Sequence, residues 1–153
     1  MDVFRQPKYS YYLFQSQKDP NREPVLYIAN ELTPASDADV QVFSNCDAVR
    51  LIVNQSDTLR QNKDTSRTMP HPSFVFKDVF HFKETKGIIA EGIIDNQVVI
   101  IKEKNPALRP TKIKLELADS SRSLIANGSD FITVIASITD DNGNVKRLNN
   151  SRI

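Results

Sequence analysis

The chain has no tryptophan, a single cysteine, four glycines and two histidines among its 153 residues. Cys46 standing alone excludes an internal disulfide and any cysteine-based metal cluster. Gly128 and Gly143 are isolated, so there is no glycine-rich loop to cradle a phosphate. His71 and His81 have no third ligand at zinc spacing, and neither forms part of a Ser-His-Asp or Cys-His arrangement. An excess of one charge is also missing. Twenty basic and nineteen acidic side chains leave a formal net charge of +1, without a Lys or Arg cluster. That balance argues against nucleic acid or a membrane surface as partner. No apolar run approaches the ~20 residues that span a bilayer. The opening Met1-Asp2-Val3-Phe4-Arg5 lacks the apolar core of a signal peptide, which does not bear on a longer parent polypeptide.

What the chain does have is strand grammar. Val40 and Val42, then Val49, Leu51 and Val53, alternate with polar residues on either side of Ser44-Asn45-Cys46-Asp47. The pattern predicts a β-hairpin with one buried face, its four-residue connection setting the strand register. Further strands are predicted at Val25–Ile28, Thr58–Arg60, Phe74–Phe76, Val79–Phe82, Gly87–Ile94 and Gln97–Lys102. Phe74, Phe76, Phe80 and Phe82 are assigned to the core. Asp95-Asn96 suits a tight turn because both residues tolerate positive φ. Roughly seven or eight short strands with turn signals every ~8–12 residues is the pattern of an immunoglobulin-like sandwich. The fold class is therefore all-β.

Domain punctuation follows the same cues. Residues 1–23 read as an N-terminal helical segment, with Pro7 at the first turn of a helix over Lys8–Ser16 that Asp19-Pro20 breaks. Tyr11, Phe14 and Tyr12 form an aromatic stripe, read first as packing surface. Residues 24–104 form the sandwich, and 105–110, with Pro106 and Pro110, form a linker. In 111–153, strands are predicted at Ile113–Leu117, Phe131–Thr139 and Val145–Leu148, the last two joined at Asn142-Gly143. Three strands cannot close a sandwich, so this second domain is expected to be partial. Its unpaired edges are expected to promote self-association or docking on the first domain.

Four stretches, in order, carry a family likeness. Val40-Gln41-Val42-Phe43-Ser44-Asn45-Cys46-Asp47-Ala48-Val49-Arg50-Leu51-Ile52-Val53-Asn54 fits V-x-V-Y/F-S/T-N-x-D/E-x-V-x-L-x-V/L-N. His71-Pro72-Ser73-Phe74-Val75-Phe76 fits H-P-x-F-x-F. Ala126-Asn127-Gly128-Ser129-Asp130 with Asp140-Asp141-Asn142-Gly143-Asn144 fits the opening of a following module, and Phe4-Arg5-Gln6-Pro7-Lys8-Tyr9-Ser10-Tyr11-Tyr12 fits a helix closing a catalytic barrel. Together they resemble the C-terminal half of bacterial β-galactosidases of glycoside hydrolase family 2. Gln55 and Asn96 depart from it, standing where that family often has glycine. The resemblance implies an accessory sandwich packed on the catalytic barrel of the same polypeptide, in a periplasmic or extracellular enzyme. Its two catalytic glutamates would belong to the barrel.

No residue here is assigned a catalytic, cofactor-binding or metal-ligating role, and no cofactor is implied. Retaining glycosidases need two carboxylates about 5–5.5 Å apart, one of raised pKa. Asp39, Asp47, Asp140 and Asp141 instead lie at turns, where bonding to backbone accounts for them. Val145 and Ser151 occupy the sixth and twelfth places of a would-be calcium loop starting at Asp140, so a hairpin is preferred there. Cys46 is read as a small tolerated residue rather than a reactive thiol. The alternative function is a carbohydrate-binding module, carried by Tyr9, Tyr11, Tyr12 and the loop 61–73.

Overall fold

A computed structural model describes residues 7–66, 68–119, 123, 125 and 127–146. Phe4, Arg5, Gln6, Ala126, Arg147 and Leu148, which the motifs above include, lie outside them. The chain divides into two units, Met1–Pro106 and Ala107–Ile153.

The first unit opens with α1 (Tyr9–Gln15) and continues through β1 (Leu26–Ala29), β2 (Val40–Ser44), β3 (Ala48–Val53), β4 (Asp57–Asn62), β5 (Phe74–Phe76), β6 (Ile88–Ile94) and β7 (Gln97–Lys104). Two antiparallel sheets result, ordered β1-β2-β5 and β4-β3-β6-β7. This is an immunoglobulin-like sandwich in which the fourth strand pairs with the third instead of joining the first sheet. Period-two alternation explains the core. Leu26 and Ile28, Val40 and Val42, Val49, Leu51 and Val53, Phe74 and Phe76, Ile88 and Ala90 all point inward and are buried. A one-residue slip in any of these strands would put its apolar set in water. Asp95 and Asn96, at φ 49° and 62°, turn β6 into β7, and Asn54 and Gln55, at 54° and 62°, turn β3 into β4.

Three expectations are overturned here. Val40–Asn54 is not a hairpin, because β2 pairs with β1 and β5 while β3 pairs with β4 and β6. Ser44–Asp47 instead crosses from one sheet to the other. Both flanking strands bury one face against a common core, and that alternation is identical for paired and facing strands. Val79–Phe82 forms no strand. The Val79 and Phe80 N–H groups both donate to the Ala38 carbonyl, at 2.9 and 2.8 Å, and the His81 carbonyl accepts from Glu84 and Thr85. Phe80 is buried, but Phe82 is 40% exposed and lies outside the core.

In the second unit β8 (Lys112–Leu117) pairs antiparallel with β9 (Val134–Thr139). Strand geometry begins at Val134 rather than Phe131, and beyond the Gly143 turn a single bridge joins Val145 to Thr139. Ile113, Leu115 and Leu117 share one face with Ile138, Ala136 and Val134. Ile113 and Leu115 on that face are 58% and 67% exposed.

Candidate functional site

The crossing between the sheets is densely hydrogen-bonded. Asn45 is fully buried. Its Oδ1 accepts the Val25 N–H at 2.7 Å, and its Nδ2 donates to the Glu23 and Lys18 carbonyls at 2.9 and 3.1 Å. Ser44 Oγ donates to the Val25 carbonyl and accepts the Cys46 N–H. The Asp47 N–H donates to the Ile93 carbonyl, and the Lys63 N–H to that of Asp47. Cys46 turns inward rather than sitting loosely in a turn. A Cβ on Gly92 would come within 2.6 Å of its Sγ and 2.7 Å of Ile100 Cγ2. Burial pushes the Cys46 thiol pKa up, with the Ser44 hydrogen bond opposing, so the group is kept protonated and inert.

Beside the crossing, α1 is held on the sandwich by aromatic and amide contacts. Tyr12 stacks on Tyr27 with centroids 3.6 Å apart, Tyr27 lies parallel to Phe43, and Tyr9 meets Tyr27 edge-on at 6.0 Å. Tyr9 donates its hydroxyl to Glu31 at 2.7 Å. Gln17 clamps His71, its Nε2 donating to the His71 carbonyl at 2.8 Å and its Oε1 accepting the His71 N–H at 3.1 Å. The tyrosines considered for sugar stacking thus divide. Tyr9 and Tyr12 pack against the sandwich, while Tyr11 and Phe14 face outward, 44% and 75% exposed. Loop 61–73 begins later than expected, since β4 runs to Asn62.

Each acidic candidate is engaged by neighbours within its own unit. Asp39 accepts from Lys77 and from the Asp78 N–H, and the Lys77 hydrogen bond lowers its pKa most. Asp47 accepts the Asp95 N–H. Asp141 pairs with Lys112 and Thr111, which lower its pKa. Asp140 exceeds its turn assignment. Its side chain is fully buried, paired with Lys146 at 2.8 Å and hydrogen-bonded by the Leu108 and Asn144 N–H groups. Burial alone would raise its pKa. The bonds from Lys146, Leu108 and Asn144 outweigh that and hold the carboxyl well below the usual range. His71 Nδ1 is buried without a hydrogen-bond partner, and burial, seconded by Lys63, lowers the ring's pKa. His81 lies on a turn, 3.6 Å from Asp78. Among the described residues no three His, Cys, Asp or Glu side chains are grouped to hold a metal.

The surface of the first unit carries cavities at two places of interest. One of about 410 Å³ is bordered by Tyr9, Glu31, Asp37, Asp39 and Gln41. The other, about 280 Å³, lies at one end of the four-stranded sheet, between Asn54-Gln55, Lys86-Gly87 and Glu103-Asn105. Neither these cavities nor Asn45 and Gln17 were singled out from sequence. The one available signal was Gln55, out of place in a tight turn.

No family model matches the chain. It is 32% identical to a β-galactosidase of Thermoanaerobacter pseudethanolicus, with 94% of the chain aligned to 21% of that protein. Among solved structures it superposes on a β-glucuronidase from glycoside hydrolase family 2 with a TM-score of 0.67 and 26% identity, over 92% of this chain and 14% of that one. The chain corresponds to a partial region of a glycoside hydrolase family 2 enzyme. The fold of this family 2 region is shared with a β-glycosidase from Bacteroides vulgatus, at TM-score 0.74 and 24% identity, covering 95% of this chain and 18% of that one. The chain thus spans about a fifth or less of the length of these relatives. Within the family 2 region, the stretch Val40–Asn54 supplies the inward valines, Leu51 and the buried Asn45.

Proposed function

We propose that this chain is a non-catalytic accessory region that supports the catalytic barrel of a β-galactosidase-like enzyme. What carries the reading is the alignment of almost the whole chain with a fifth of a β-galactosidase. The side-chain chemistry supports it, since Asp39, Asp140 and Asp141 are all engaged with cations and turns and have lowered pKa values. A general acid would need the opposite shift. On this reading α1 is the strut. Its inner side is fixed to β1 and β2 through Tyr12, Tyr27 and Phe43, and its outer side offers Tyr11 and Phe14 to the barrel. Exposed aromatics of this kind mark contact surfaces.

The same reading makes residues 111–153 a contribution to a second sandwich, supported by the exposed apolar face of β8 and β9. Incubating the purified chain with p-nitrophenyl β-galactoside should release no nitrophenol above the uncatalysed rate. Turnover abolished by substituting any of its own carboxylates would refute the proposal.

A further inference from the structure

We propose that the cavity between the β3–β4 turn and the end of β7 is a binding subsite for one sugar ring, recognised through its hydroxyl groups. This site is independent of the supporting role proposed above. Its wall is built rather than incidental. Asn54 Oδ1 accepts the Lys86 N–H at 2.6 Å, Asn54 Nδ2 donates to the Glu84 carbonyl at 3.2 Å, and the Asn54 N–H donates to the Gly87 carbonyl at 3.0 Å. These bonds fix the segment 84–87 against the turn. On the opposite side Asn105 Nδ2 donates to Glu103 Oε1 at 3.3 Å, and a Cβ on Gly87 would come within 2.7 Å of Asn105 Oδ1. Glycine at 87 keeps that approach open.

The groups left over decide the ligand. Gln55 and Lys86 line the cavity, and their side chains make no hydrogen bond or ion pair among the described residues. Glu103 keeps its second oxygen, and Ile89 supplies an aliphatic floor. One ammonium beside one carboxylate leaves no net charge to hold a phosphate. A single carboxylate falls short of the oxygen ligands that calcium or magnesium requires. One isoleucine offers too little apolar area for an aromatic ligand. Interspersed donors and acceptors at neutral net charge, over a small aliphatic floor, match a polyhydroxylated ring. The volume of about 280 Å³ is at the small end of ligand pockets, which suits a single ring. Gln55 holds φ at 62° in a turn position where glycine would be unstrained. That strain has a use if the side chain binds.

The experiment is a ¹⁵N–¹H titration of the whole chain with methyl β-galactopyranoside, methyl β-glucopyranoside and methyl β-glucopyranosiduronate. Inorganic phosphate and glycerol serve as controls. At least one glycoside is expected to give saturable shifts at the Gln55, Lys86, Gly87 and Asn105 amides, with a Kd on the order of millimolar for so few contacts. Lys86→Ala and Glu103→Ala should weaken it about tenfold. Gln55→Gly relaxes the backbone, so it should keep or raise the melting temperature while weakening binding. The proposal is overturned by no saturable shift with any of the three glycosides, by equal shifts with phosphate or glycerol, or by unchanged affinity in all three variants.

Discussion

Replacing Asn45 with alanine removes one hydrogen-bond acceptor and two donors from a site with no exposed surface. The Val25 N–H, 2.7 Å from Asn45 Oδ1, then has no partner, and a buried donor left unmade costs about 1–3 kcal/mol. The Glu23 carbonyl loses a 2.9 Å bond, worth about 1 kcal/mol. Lys18 and Glu23 border exposed chain, so water can repair part of the loss at their carbonyls. The expected cost is about 2–4 kcal/mol, a large share of the 5–15 kcal/mol that ordinary domains possess. Because the chain lacks tryptophan, urea unfolding would be followed by far-UV circular dichroism and tyrosine fluorescence. The midpoint should fall with little change in slope, and amide exchange at Val25 should accelerate more than at Leu51. Asn45→Asp should be no milder, since it presents a carboxylate to two carbonyl oxygens. A loss under about 0.5 kcal/mol for Asn45→Ala, within the range of ordinary surface substitutions, would show that Asn45 does not hold the crossing.

Gly92→Ala should destabilise by about 1–2 kcal/mol, overpacking against Cys46 and Ile100 outweighing the usual gain from restricting the unfolded chain. In a double-mutant cycle with Cys46→Ala, a coupling near zero would exclude Cys46 as the obstacle. Asp140 has a folded-state pKa below its unfolded value, so its contribution is fully present above pH ~4 and is lost as pH falls further. Asp140→Asn should therefore weaken the second unit by on the order of 2–3 kcal/mol at neutral pH and flatten its acid dependence, read from exchange of the Leu108 and Asn144 amides. Concentrated solutions of the isolated chain are expected to self-associate through the exposed face of β8 and β9. Leu115→Lys should reverse this without moving the unfolding midpoint of the first unit, as sedimentation velocity would show.

Sequence alternation reports which side of a strand is buried and is silent on its neighbour. That is why Val40–Asn54 was legible as two strands yet misread as a pair. The difference lies in Asn45, whose partners at 18, 23 and 25 are distant in sequence and leave no local trace. The strand expected at Val79–Phe82 failed for a similar reason. An aromatic pair at i, i+2 suits a strand, but the turn fixed by Ala38 and His81 sends only one of them inward. The turns at Asp95-Asn96 were readable because positive φ has a chemical signature of its own. Of the cavity only Gln55 left a sign in the sequence. The cavity joins residues near 54, 86 and 104 that only β3, β6 and β7 bring together.

The crossing at Ser44–Asp47 also bears on how fast the chain folds. It gathers segments near residues 18, 25, 63 and 93 at one point, so closing it means closing several long loops at once, each at an entropic cost. Contacts of such long range place the first unit among slow-folding sandwiches rather than fast helical proteins. The Asn45 bonds lie just beyond the Leu26–Ser44 end of the β1–β2 pair, so they close after those strands have met. Loss of these bonds should then appear chiefly as faster unfolding, with the refolding rate nearly unchanged. Asn45 would thus set how long the folded unit survives more than how quickly it is reached.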